Sequence, residues 1–179
     1  NNHYFNSVYI GGAVTSGSSA TTAFRNSVSD AGSDQNVNNI YYNVRTGSGS
    51  HFSYVVNNAT TGKSDYNIFA SSGAGIYPML SSVDNGTTTL TTLQALRFKL
   101  FNHNMHSGVG DPNFIVPTGT SSTIDLHLQT PTVAEGAGDA TITGPDDYDG
   151  QARASFTPAD MGADALSATP VDVFTPIIT

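Results

Sequence analysis

The feature that most constrains this chain is a short frame that recurs along it. Asn38-Asn39-Ile40-Tyr41-Tyr42-Asn43 and Asp65-Tyr66-Asn67-Ile68-Phe69-Ala70 each set an asparagine before a short apolar run, and Phe5-Asn6-Ser7-Val8-Tyr9 is a weaker third copy. Val8 to Ile40 is 32 residues and Ile40 to Ile68 is 28. A repeat in this range, with asparagine near the turns, predicts stacked coils in which each rung packs on its neighbours. Short strands separated by polar turns also fit an ordinary β-sandwich, so the pattern alone leaves both architectures open.

Composition supports strands over helices. The chain has 179 residues, the size of one domain or of a sizeable piece of a longer protein. It carries 20 Ser, 22 Thr, 15 Asn and 18 Gly, against a single Glu (Glu135) and two Lys (Lys63 and Lys99). Leu, Ile, Val and Phe number 39, just above the roughly 20% below which chains stay disordered. With no cysteine there are neither disulfides nor thiolate metal sites. A net charge of −8 leaves no basic patch for a phosphate backbone, which argues against nucleic-acid binding. No apolar run approaches the roughly 18 to 20 residues that cross a bilayer, and Asn1-Asn2-His3-Tyr4 has no signal-peptide character. Sparse charge with much Ser, Thr, Asn and Gly is the composition of extracellular β-proteins.

Val8-Tyr9-Ile10, Ala23-Phe24, Ile40-Tyr41-Tyr42, Phe52-Ser53-Tyr54-Val55-Val56 and Ile68-Phe69 are each of strand length. Leu93, Leu96 and Leu100 fall on one helical face, with Thr91 or Thr92 placed to cap, which predicts one short helix ended by Gly108-Val109-Gly110-Asp111-Pro112. Phe114-Ile115-Val116 reads as a strand. Ile124-Asp125-Leu126-His127-Leu128 reads as another, with Asp125 and His127 turned away from the core. Asp149-Gly150 predicts a turn.

From Asp65 to Asp164 the order of features resembles the C-terminal end of secreted bacterial right-handed parallel β-helix proteins of pectate-lyase-like architecture. The resemblance is carried by Ser64-Asp65-Tyr66-Asn67-Ile68-Phe69, by Thr92-Leu93-Gln94-Ala95-Leu96 and by His106-Ser107 followed by Asp111-Pro112-Asn113-Phe114. Asp125-Leu126-His127-Leu128-Gln129, Thr130-Pro131-Thr132-Val133 with Gly136, Asp147-Tyr148-Asp149-Gly150-Gln151-Ala152-Arg153 and Asp160-Met161-Gly162-Ala163-Asp164 complete it. It departs from the group at Leu96, where Trp is common, and at Ala165, where Glu is usual. The resemblance implies an all-β fold in which residues 1–165 are the closing coils and C-terminal cap of a β-helix, with one short helix. Residues 166–179 would be an exit strand or a linker to a further domain. It also implies that the chain is the C-terminal part of a longer protein, secreted or held at the cell surface, with type IX secretion machinery as a partner. A β-sandwich remains the alternative.

Several residues could carry chemistry. Asp146, Asp147 and Asp149 put three carboxylates beside Gly150, a pattern that suits calcium. The plainer reading is a turn in which Asp147 and Asp149 accept backbone N–H groups and Arg153 pairs with one of them. His103 and His106 stand three apart with no acidic ligand following, and read as loop residues; His127 reads as solvent-facing. Lyases of the resembled fold use a basic residue as Brønsted base, and Lys63 near Asp65 and Tyr66 is the one position to name for that role. No nucleophile elbow or phosphate loop stands out, and Gly47-Ser48-Gly49-Ser50 and Gly73-Ala74-Gly75 read as turns. Tyr41, Tyr42, Tyr54 and Tyr66 are candidates for stacking on sugar rings, since strand alternation turns one of Tyr41 and Tyr42 outward. The expectation is a non-enzymatic glycan-binding or adhesive module whose partner is a polysaccharide or cell-surface glycan, with calcium the only cofactor suggested. The alternative is the end of a polysaccharide lyase or glycoside hydrolase whose catalytic rungs lie upstream.

Overall fold

A computed structural model describes residues 1–26, 34–56, 62–70, 79–83, 88–144, 146–156 and 158–170. It is mostly strands with one short helix. A first passage runs through β1 (Asn2–Tyr4), β2 (Ser7–Ile10), β3 (Ala13–Val14) and β4 (Thr21–Asn26). A second runs through β5 (Gln35–Val37), β6 (Ile40–Asn43), β7 (Thr46–Gly47) and β8 (His51–Val56), and a third through β9 (Lys63–Asp65), β10 (Ile68–Ala70) and β11 (Met79–Val83). Corresponding strands pair in parallel, with the second passage in the middle: β5 lies between β1 and β9, β6 between β2 and β10, and β8 between β4 and β11, while β3 pairs with β7. The first two passages visit the same four small sheets in the same order, and the described strands of the third join three of them in that order. β12 (Thr88–Leu90) then pairs antiparallel with β11, and α1 (Leu93–Lys99) follows.

The recurring frame builds the corner between the first two sheets. Phe5, Asn38 and Tyr66 take left-handed φ values of 53°, 61° and 52°, which turns the chain. The asparagine that follows each of them stacks on the next. Asn39 Oδ1 accepts the Asn6 backbone N–H at 3.0 Å, 33 residues away, and Asn67 Oδ1 accepts the Asn39 N–H at 3.0 Å, 28 residues away. Ser107 Oγ continues the ladder by accepting the Asn67 N–H at 3.0 Å. A carboxamide both donates and accepts, so the buried side chains of Asn39 and Asn67 satisfy corner groups that no sheet reaches. The ladder also sets the register. Ser7, not Val8, lies opposite Ile40, one residue from the alignment that the apolar runs suggest. Such a slip exchanges the faces of a strand.

Alternate residues of β6 and β10 enter two different cores. Tyr41 and Phe69 pack with Tyr54, Val56 and the α1 residues Leu96 and Leu100. Ile40, Tyr42, Ile68 and Ala70 pack with Phe114, Leu128, Ala134 and Met161. Both faces of this sheet are therefore covered, which is why its strands read as unbroken apolar runs. The expectation that one of Tyr41 and Tyr42 faces solvent is overturned: they are 2% and 9% exposed. The cover comes from the C-terminal third, which docks on the first two passages. Gly162 N–H donates to Asn38 O at 2.9 Å, Asp139 N–H to Asn38 Oδ1 at 2.7 Å and Ala163 N–H to Ser7 Oγ at 2.9 Å.

The helix forms as its leucine spacing predicts, with Thr92 Oγ1 accepting the Ala95 N–H at 3.1 Å as its cap. Gly108-Val109 is not the expected stop but a strand, β13, added parallel to β10. β14 (Phe114–Val116) and β15 (Asp125–Leu128) pair antiparallel. Leu166 packs against the second core, and residues 171–179 lie outside the described residues. So do Tyr77, Gly73-Ala74-Gly75 and the sequons Asn58-Ala59-Thr60 and Asn85-Gly86-Thr87. Among the described residues no helix is long and apolar enough to cross a membrane.

Candidate functional site

The docking of the C-terminal third brings a strand and a turn together around one histidine. β15 presents Asp125 and His127 on the side opposite Leu128, which is buried in the second core. The turn at 147–150 approaches from the other direction. Asp147 closes it, with Oδ1 accepting N–H groups of Asp149 at 3.0 Å and Gln151 at 2.8 Å, and Gly150 takes the φ of 77° that the turn requires. Arg153 does not pair with these carboxylates as expected. Its guanidinium donates to the carbonyls of Gly162 and Ala163 and lies 4.2 Å over the Phe5 ring, tying the 160s segment to the first passage.

His127 stands at the centre. Its Nδ1 is 2.5 Å from Asp125 Oδ1, its Nε2 is 3.1 Å from Asp149 Oδ1, and its ring meets Tyr148 edge to face at 5.3 Å. The hydrogen bond from the imidazole to the Asp125 carboxylate, helped by Asp149 and opposed by partial burial, raises the imidazole pKa. Asp164, 6% exposed, accepts the Leu128 N–H at 2.7 Å, and burial pushes its carboxyl up. These groups border a cleft of about 570 Å³ lined by Ser122, Thr123, Asp125, His127, Tyr148 and Asp164. Tyr148 is 75% exposed, so one aromatic face is presented to solvent at its edge. An exposed ring beside carboxylates and hydroxyls can stack on an apolar sugar face while accepting and donating bonds to its hydroxyls.

The predicted site residues fare unevenly. Tyr41, Tyr42 and Tyr54 are buried, and burial raises the phenol pKa of Tyr41 and Tyr54; they are core residues, not a sugar platform. Tyr66 is half-buried and stacks on His106 with ring centroids 4.6 Å apart. Asp146, Asp147 and Asp149 do not act as a trio: Asp147 is the turn cap, Asp149 turns to His127, and Asp146 is exposed. Among the described residues, the group whose ligand atoms converge within 4.8 Å is His127, Asp149 and Asp164. Lys63 donates to Asp139 Oδ2 at 2.9 Å and is engaged in that ion pair, away from the cleft beside His127. His106 is not partnerless as its sequence neighbours suggest, because Asp65 reaches its Nδ1 at 2.8 Å from the preceding passage.

His127 and Asp164 escape sequence reasoning as site residues. Alternation turns His127 outward correctly, but its partners come from 22 residues away and from a segment that folds back. The one local signal is Asp-x-His in β15, whose i, i+2 spacing puts both side chains on one face.

No protein-family model matches the chain, and comparisons with curated proteins and with solved structures give no match.

Proposed function

We propose that the chain is a right-handed parallel β-helix module, secreted or displayed at a cell surface, that binds a glycan in the cleft beside His127 and Tyr148 without transforming it. Parallel pairing at every sheet of the three passages favours the β-helix over an antiparallel sandwich, and the asparagine ladder supplies the stacking that such a fold needs. The extracellular setting rests on composition and on the resemblance of the C-terminal motifs, and export by a type IX route rests on the resemblance alone.

The observation that carries the binding reading is the exposed Tyr148 ring at the rim of a cleft walled by Ser122, Thr123 and Asp125. The acidic wall selects among sugars. The lining carboxylates Asp125 and Asp164 disfavour a uronate, so a neutral or amino-sugar glycan suits this wall better than an acidic polysaccharide. That argues against the lyase alternative, whose substrates carry a carboxylate on each uronate.

The test is calorimetric titration with neutral and amino-sugar oligosaccharides. We expect at least one to bind, and Tyr148→Ala to weaken it about tenfold, the loss of a stacking contact of about 1.4 kcal/mol. Tyr41→Phe, a change inside the core, leaves that affinity unchanged. A panel with no binder, or binding indifferent to Tyr148→Ala, overturns the reading.

A further inference from the structure

We propose that His127, Asp149 and Asp164 form a binding site for one divalent transition-metal ion at the edge of the cleft. The site does not depend on the glycan reading, because it is defined by side-chain geometry alone. The three side chains come from β15, from the 147–150 turn and from the segment docked on the first passage, and their ligand atoms lie within 4.8 Å of one another. A tetrahedral ion with bonds of about 2.0 to 2.1 Å sets its ligand atoms about 3.4 Å apart. His127 Nε2 and Asp149 Oδ1 already stand 3.1 Å apart.

A second feature points the histidine at an ion. Asp125 takes Nδ1 through Oδ1, the same oxygen that accepts the His127 backbone N–H at 2.9 Å. A carboxylate on one ring nitrogen fixes the tautomer, orients the ring and makes the other nitrogen the better ligand, the arrangement that metal-bound histidines use. Here that other nitrogen is Nε2, which faces Asp149.

Charge balance gives a third argument. Asp147 and Asp164 are buried, Asp149 stands beside them, and Asp147 Oδ2 is buried with no hydrogen-bond partner. The permanent cation near them is Arg153, whose hydrogen bonds go to the carbonyls of Gly162 and Ala163. A divalent ion adds positive charge where His127, Asp149 and Asp164 meet, beyond what the Arg153 guanidinium supplies to the buried Asp147 and Asp164. One imidazole among three ligands favours zinc or cobalt over calcium, which takes oxygen ligands and more of them. His127 and Asp164 also line the cleft, so the site adjoins it.

The experiment is titration of the chelator-treated, dialysed chain with Zn²⁺ by calorimetry and with Co²⁺ by visible absorption. We expect one ion per chain, a Co²⁺ spectrum of low-coordinate nitrogen and oxygen ligation, and at least tenfold weaker binding in both His127→Gln and Asp149→Asn. Asp149 is exposed, so Asp149→Asn keeps the fold and its circular dichroism stays that of the parent. Three results overturn the site: no saturable binding of a single ion, parental affinity in both variants, or loss of binding only in His106→Gln, which would move the ion to the Asp65 side of the molecule.

Discussion

Asn39 shows how much one side chain does in this molecule. It is fully buried, accepts from Asn6, and its two amide hydrogens are shared among His3 O, Val37 O, Asn36 Oδ1 and Asn67 Oδ1, all within hydrogen-bond reach of Nδ2. Asn39→Ala should lower unfolding stability by about 3 kcal/mol in urea titration, since it leaves several buried partners unpaired. Asn6→Ala, at the exposed end of the ladder, should cost about 1 kcal/mol. A second residue-scale effect is acid-linked. Glu135 and Asp160 are buried, and burial raises both carboxyl pKa values, with the Asp160 charge adding to the shift at Glu135. Between the ordinary carboxylate value near about 4 and these raised values, the folded state binds more protons than the unfolded one. Their contribution is therefore complete below that ordinary value and is lost as pH rises through the folded one. Calorimetric melting should give a higher Tm at pH 4.5 than at pH 7 from this pair, and Glu135→Gln should narrow the gap.

Among the elements, α1 was the most legible, because leucines at i, i+3 and i+7 after a threonine leave little else to form. Leu96 is completely buried against Tyr54 and Phe69, so Leu96→Ala should cost about 3 kcal/mol, and Thr92→Ala about 1, both read from urea midpoints. The apolar runs of β2, β6, β8 and β10 were equally plain. β1, β5 and β9 were not, because Asn2–Tyr4, Gln35–Val37 and Lys63–Asp65 are short and polar and are held by backbone pairing across 28 to 33 residues, which no local pattern records. β13 was misread for a related reason: Gly108 sits where a turn is expected, yet the ladder at Ser107 delivers it onto β10. The cleft was legible only in fragments. Asp147 and Asp149 stood out as a carboxylate group, whereas the meeting of Asp149 with His127 and Asp164 required the fold-back of the C-terminal third.

At the scale of the molecule, that fold-back is what separates buried from exposed aromatics. It covers the outer face of β6 and β10, converts Tyr42 from a surface candidate into core, and leaves Tyr148 as the exposed ring of the cleft. Hydrogen exchange should then be slowest at Ile40–Asn43 and Ile68–Ala70, which are covered on both faces and paired on both edges, and faster at β1, β2 and β4, which occupy sheet edges. Equal protection across the first and second passages would contradict this layering. The claim on which the functional account turns is that the molecule meets its ligand at the cleft built by β15 and the 147–150 turn. A crystal structure of the chain saturated with a bound oligosaccharide tests it most directly. The account predicts a sugar ring against the face of Tyr148 with its hydroxyls on Asp125, Ser122 or Thr123; a sugar seated elsewhere, with the cleft open, would contradict it.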